Sequence, residues 1–143
     1  MSEKHRPPDG LITLLVLLHL AITVLHGRAH AGAVVPVSTA ASIFIFTVII
    51  AAPLVGVAVL WFLSVRGGAW LLAGSLAASL VFGVVNHFLV PGTDHVSHVT
   101  GDAQLWFTVT AVLLAVTEAM GCVLAAVLAR SPITSDELPL RRS

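Results

Sequence analysis

Four long apolar runs constrain the fold of this chain more than any other feature. They cover roughly residues 11–27, 40–65, 69–90 and 105–129. A helix needs about 20 mostly apolar residues to cross the hydrocarbon core of a bilayer, and each run approaches or exceeds that length. The chain is 57% hydrophobic and 10% charged, whereas soluble domains carry about 25% charged residues. The runs therefore predict an all-α membrane protein with four transmembrane helices.

Short connections between the runs predict an up-down bundle in which successive helices are neighbours. Residues 11–129 form the predicted transmembrane domain, with a polar segment at residues 1–10 and a polar tail at residues 130–143. Little chain remains for a soluble domain, and the sequence contains no nucleophile constellation or phosphate-binding loop. These features favour an accessory or non-catalytic membrane subunit over a stand-alone enzyme.

The distribution of basic residues predicts the orientation of the bundle. Six of the seven lie at the ends of the chain or in the loop between the second and third runs: Lys4, Arg6, Arg66, Arg130, Arg141 and Arg142. Only Arg28 lies in a loop on the other side. Because cytoplasmic loops are enriched in lysine and arginine, we expect both termini to be cytoplasmic, in a plasma (inner) membrane.

The first run has a second interpretation. A basic start, an apolar stretch and Ala29-His30-Ala31 resemble a secretory signal with its cleavage site. Cleavage there would remove His19 and His26 and leave three helices. The apolar stretch is long for a signal, and its histidines are unusual for a discarded leader. We therefore expect the run to remain as the first helix.

Histidines concentrate at one predicted face of the membrane. Five of the seven lie on the extracytoplasmic side: His26, His30, His87, His95 and His98. His26 and His30 share a helix face if the first helix continues that far. Small residues recur every four positions along the third run and end at His87, a pattern typical of close helix packing in membranes. Pro91-Gly92 then predicts the end of that helix.

These residue types indicate a metal or haem site. Neutral imidazole is a common ligand for zinc, copper, iron and haem, and carboxylates bind metals or orient ligating histidines. Haem b would need two axial ligands on facing helices, for which His26 or His19 opposite His87 are candidates. A copper, zinc or iron ion has these candidate ligands: His26, His30, His87, Asp94, His95 and His98. The same histidines are also compatible with a purely interfacial role, in which they form hydrogen bonds only to water, lipid headgroups and loop carbonyls.

A second polar feature lies inside the membrane. Glu118 is within the fourth run, and ionisable residues at such depth are candidates for function. His19 lies at a similar depth on the first run, so the two side chains can pair if those helices are adjacent. The pair is predicted to be either a proton relay or a structural polar lock. Pro53 on the second run leaves the carbonyl of Ile49 without its helical partner.

Three functions are compatible with this pattern. The first is a small subunit with a histidine-rich extracytoplasmic metal or haem site, in a membrane redox complex. The second is proton or metal-ion transport using His19 and Glu118, which would require an oligomer. The third is a structural assembly subunit without a cofactor. The expected partners are the lipid bilayer and other membrane subunits or further copies of this chain, while a formal net charge of zero gives no indication of nucleic acid.

The single cysteine, Cys122, narrows these functions further. It excludes an intramolecular disulfide and the paired-cysteine chemistry of membrane thiol oxidoreductases. Together with the low methionine content, it also weakens the case for a soft Cu(I) site.

Overall fold

The computed structural model describes residues 7–131, and every regular element in that range is helical. Four helices are long and apolar enough to cross a membrane, which confirms the predicted all-helical fold. They are Pro7–Gly32, Thr39–Phe62, Val65–Leu89 and Ala103–Arg130. The up-down order and the cytoplasmic termini stay predictions. Residues 1–6 and 132–143, which include most of both predicted cytoplasmic ends, lie outside the described residues.

The helix ends differ from the sequence boundaries in two places, and the first of these affects the site. The first helix continues to Gly32, so His30, which lies beyond the predicted run, is on the same helix as His26. The third helix begins at Val65 because the side chain of Ser64 accepts a hydrogen bond from the backbone N–H of Gly67. Such a cap satisfies one of the free donors at a helix start.

One end of the bundle is tightly packed. Apolar side chains from all four helices fill it, and the fully or nearly fully buried ones include Ile12, Val16, Leu60, Leu72 and Ala125. Small residues allow close contact between helices in membranes, and Gly68 here lies directly against the backbone of Leu60. We call this region the packed end. The opposite region, where the first helix ends and the fourth begins, is the histidine end.

The second helix is irregular at the histidine end. Residues Thr39–Phe44 are α-helical, Ile45–Ala51 form a π-helical stretch, and Ala52–Phe62 are α-helical again. Pro53 follows the π-helical stretch and cannot donate to Ile49. Instead, the Nε2–H of His19 donates to the Ile49 carbonyl at 3.2 Å. The carbonyl that the sequence predicts to be free is therefore satisfied by the first helix.

The irregular half of the second helix contributes little to the core. Residues Thr39–Phe44 bury no side chain, and Ile49 is the only buried residue of Ile45–Ala51. This half therefore leaves space between itself and the other three helices. A cavity of about 620 Å³ occupies that space.

Candidate metal centre

Three histidines from two helices converge at the histidine end. His26 and His30 lie one turn apart on the first helix, and His87 lies in the last turns of the third helix. The Nε2 atoms of His26 and His87 are 3.1 Å apart, and those of His30 and His26 are 3.2 Å apart. One ligand atom from each of the three lies within 4.8 Å of the others. We call these residues the histidine trio.

In His26 and His87, the Nδ1 atom points away from the trio and makes a hydrogen bond. That bond determines which ring nitrogen carries the proton. The hydroxyl of Thr110 donates to the Trp106 carbonyl at 2.7 Å, so it accepts from the Nδ1–H of His26 at 2.8 Å. The Nδ1–H of His87 donates to the backbone carbonyl of Asp94 at 2.9 Å. In the neutral form of each ring, Nε2 therefore carries a lone pair instead of a proton.

The trio consequently holds two lone pairs that face each other. A hydrogen bond between His26 and His87 would need one donor and one acceptor, but both Nε2 atoms are acceptors. One N–H from His30 can satisfy His26, yet the Nε2 of His87 remains unsatisfied. A bound cation would satisfy all three nitrogens together. Histidines that bind metals are commonly oriented by a hydrogen bond from their second ring nitrogen, as His26 and His87 are here.

The spacing of the nitrogens suits a small metal ion. Zinc binds histidine nitrogen at 2.0–2.1 Å, so two ligands of a tetrahedral site lie about 3.3 Å apart. The two closest Nε2 pairs, at 3.1 and 3.2 Å, are near that value. Three histidines leave a fourth position for water or another ligand, as in catalytic zinc sites.

Asp94 lies beside the trio in the loop after the third helix. The backbone N–H of Val96 donates to the carbonyl of His87 at 3.0 Å, which folds this loop back over the helix end. One carboxylate oxygen of Asp94 then lies 3.3 Å from Nε2 of His30 and 3.4 Å from Nδ1 of His87. That oxygen is buried and makes no hydrogen bond. It is therefore placed either to bind an ion directly or to orient the histidines.

The structure does not bring His95 and His98 into this group. Both lie in the loop, where the Nδ1 atom of His95 contacts the hydroxyl of Ser97 at 2.7 Å. The Nδ1–H of His98 donates to the carbonyl of Gly92. Their rings face each other with centroids 5.5 Å apart. Four of the six predicted metal ligands thus lie together, and the other two are held by local contacts in the loop.

Two further residues of the centre were not singled out from the sequence. Thr110 binds His26, and Phe107 packs against all three rings of the trio, with centroids 4.8 to 5.4 Å away. Phe107 is fully buried, so it forms an apolar wall that limits the access of water. Thr110 lies two turns from Glu118 on the inward face of the fourth helix. The sequence signal that could have identified Thr110 is its hydroxyl, on a helix face whose other residues, apart from Glu118, are mostly small and apolar.

The cavity connects the trio to the middle of the membrane helices. His26, His30, His87 and Asp94 line it at the histidine end, and Glu118 lines it deeper in the bundle. Nδ1 of His19 lies 3.8 Å from Oε1 of Glu118. The predicted proximity of these two residues is thus observed, at a distance too long for a direct hydrogen bond.

The contact between His26 and Thr110 leads to a test of the site. We expect Thr110→Val to weaken metal binding about 10- to 100-fold, because loss of an outer partner typically has that effect. The variant keeps the shape of the side chain but removes the acceptor that holds the Nδ1–H of His26. Isothermal titration with zinc measures the change.

Thr117→Val is the matched control for this test. Thr117 is buried on the same helix, but its hydroxyl donates only to carbonyls of its own helix, at 2.9 Å for Leu113. We expect its zinc affinity to equal that of the wild type. Equal affinities of the Thr110 variant and the wild type would contradict the role of Thr110.

The chain matches no protein-family model, and no curated protein or solved structure matches it.

Proposed function

We propose that this protein is a membrane metalloprotein that binds one copper or zinc ion through His26, His30 and His87. The observation that supports this most directly is the 3.1 Å approach of Nε2 of His26 to Nε2 of His87, while the Nδ1 atom of each ring is held by a hydrogen bond on its other side. Asp94 completes the set as a fourth ligand or as the group that orients the histidines. Copper is favoured thermodynamically, since divalent copper binds nitrogen sites more tightly than the other first-row ions.

The same geometry favours a single ion over haem. Two axial histidines of a haem lie on opposite faces of the macrocycle, with their nitrogens about 4 Å apart, twice a metal–nitrogen bond of roughly 2 Å. The nitrogens of His26 and His87 are closer than that, and the ring of His30 lies beside them. A porphyrin plane between them would require the trio to separate.

Within this proposal, the protein is a cofactor-bearing subunit of a larger membrane redox complex. Copper can exchange single electrons at such a site, and the distribution of basic residues favours an extracytoplasmic position for the centre. Many large apolar side chains are exposed along the helices, which suits contact with lipid and with other membrane subunits. Transport is the weaker candidate, because buried apolar side chains of all four helices fill the packed end beyond Glu118.

Metal analysis of protein purified in mild detergent tests the proposal. We expect one copper or zinc ion per chain, no Soret band, and electron paramagnetic resonance of the copper form with coupling to three nitrogens. His30→Ala should reduce the number of coupled nitrogens from three to two, because His30 supplies one of the three ligating nitrogens. His98→Ala is the control and should leave the spectrum unchanged, since the Nδ1–H of His98 is bound to a loop carbonyl.

Two outcomes would overturn the proposal. A wild-type protein that takes up no copper or zinc would support the structural assembly role instead. Loss of one nitrogen coupling in the His98 variant, with no loss in the His30 variant, would show that the ion binds in the loop instead.

A further inference from the structure

The deep end of the cavity carries polar groups that the metal centre does not use. Glu118 and Ser79 line it, and Nδ1 of His19 lies 3.8 Å from the carboxyl group of Glu118. His19 and Ser79 are fully buried, and neither His19 Nδ1 nor the Ser79 hydroxyl makes a hydrogen bond. Buried polar atoms without partners are rare, and each requires an explanation.

The tautomer of His19 determines whether the carboxyl group of Glu118 carries a proton. Because Nε2–H of His19 donates to the Ile49 carbonyl, the Nδ1 atom of the neutral ring presents a lone pair to Glu118. A carboxylate facing that lone pair would leave two acceptors opposite each other in an apolar interior. A protonated Glu118 removes that conflict and also avoids the cost of an unpaired buried charge.

Among the described residues that line the cavity, none that neighbours Glu118 is a lysine, an arginine or a second acid. The first helix presents His19, and the nearby cavity wall of the second helix is formed by Ile45 and Ile49. The third helix presents Ser79 and Gly83, and a Cβ atom at Gly83 would lie 3.9 Å from Oε2 of Glu118. Among the described residues, the remaining titratable groups of the cavity are the trio and Asp94.

Glu118 and the trio face each other across the cavity. Side chains lean toward the start of their own helix. Glu118 therefore leans toward the histidine end, where the fourth helix begins, while His26 and His87 lean away from that end. Gly83, beside Glu118, is one turn from His87, a rise of about 6 Å. A metal ion at the trio would thus lie within roughly 10 Å of the Glu118 carboxyl group.

We propose that Glu118, with His19 and Ser79 around it, is a proton-binding site that releases its proton when a divalent ion binds the histidine trio. This inference rests on the proposed metal centre. The three neutral imidazoles bring no charge, so a bound dication adds two positive charges to an apolar bundle. Asp94 offsets one of them, and deprotonated Glu118 offsets the other. Attraction at this distance remains substantial in a protein interior.

The cavity gives the proton a route out of the bundle. Its volume of about 620 Å³ is many times the roughly 30 Å³ that one water molecule takes in the liquid. Asn86, Ser79 and Thr23 supply polar groups along its wall. Water in the cavity can therefore carry the proton from Glu118 past the trio to the histidine end.

Calorimetry on the full-length protein tests this coupling. Zinc is titrated into the wild type and Glu118→Gln at several pH values, each time in two buffers with different ionisation enthalpies. We expect the wild type to release about one more proton per zinc than the variant. Its affinity advantage over the variant should therefore rise with pH, by about tenfold per pH unit wherever about one extra proton is released, because fewer protons then compete for Glu118. Asp102→Asn, at an exposed acid that begins the same helix, should match the wild type.

The outcomes separate this inference from the metal centre itself. Tight zinc binding with equal proton release in the wild type and Glu118→Gln would overturn the coupling and leave the metal centre intact. No zinc binding by the wild type would overturn both.

A second measurement needs no variant and so does not depend on the folding of Glu118→Gln. Infrared difference spectra of the wild type should show that zinc removes the carbonyl stretch of one protonated carboxylic acid. An unchanged spectrum in that region, with zinc bound, would also overturn the coupling.

Discussion

Replacing His87 with alanine is expected to weaken zinc binding about 100-fold. Structural zinc sites with four ligands bind with roughly 10–16 kcal/mol, so one ligand is worth about 3 kcal/mol, or about two orders of magnitude in affinity. His87 also holds the loop, since its Nδ1–H donates to the Asp94 carbonyl. Its loss should therefore loosen Asp94 as well, and titration calorimetry in detergent measures the combined effect.

His95→Ala is the matched control for that prediction. His95 lies in the loop, and its Nδ1 atom contacts Ser97 instead of the trio. We expect its zinc affinity to stay within about threefold of the wild type. Zinc at 100 times the wild-type Kd should stabilise the wild type and this control by about 2.7 kcal/mol. An equal stabilisation of the His87 variant would show that the ion binds elsewhere.

Gly68→Ala is expected to destabilise the bundle by about 3 kcal/mol. A Cβ atom at this position would lie 2.5 Å from Cα of Leu60, and it would also overlap the backbone nitrogen of that residue. Backbone cannot move aside as a flexible side chain does, so the second and third helices must separate. Overpacking of this kind typically costs 1–3 kcal/mol or more, which exceeds the roughly 1 kcal/mol that alanine gains over glycine in a helix.

Gly74→Ala on the same helix provides the comparison. A Cβ atom there would meet nothing within 4 Å, and the position is exposed. We expect this variant to be as stable as the wild type or more stable, by up to about 1 kcal/mol. Thermal unfolding in mild detergent, followed by circular dichroism, measures both variants. Equal stability of the two would contradict the close contact at Gly68.

The helical fold could be predicted from the sequence because apolar length alone determines it. The proximity of His19 and Glu118 followed from matching their depths, and the free carbonyl of Ile49 followed from Pro53. Both arguments need only the regular rise of a helix and the missing N–H of proline. What the sequence could not show was that His19 would donate to that carbonyl.

The composition of the centre was harder to predict than its location. Loop conformation separates Asp94, which faces the trio, from His95 and His98, which do not. That separation depends on hydrogen bonds within the loop and to the helix end, such as those from Val96 to the His87 carbonyl and from His87 to the Asp94 carbonyl, and no local sequence pattern specifies them. The predicted length of the first helix was also too short, because glycine at position 27 weakens a helix without ending it.

The irregular half of the second helix can influence how an ion enters the centre without influencing how tightly the centre binds that ion. Among the described residues, the candidate ligands come from the first helix, the third helix and the loop that follows it, and none comes from the second helix. That helix nevertheless forms one wall of the cavity. A tilt of its weakly packed half about Pro53 would change the width of the entrance and leave the nitrogen–nitrogen distances as they are. Evolution can therefore adjust how fast an ion enters or leaves without altering how tightly it is bound.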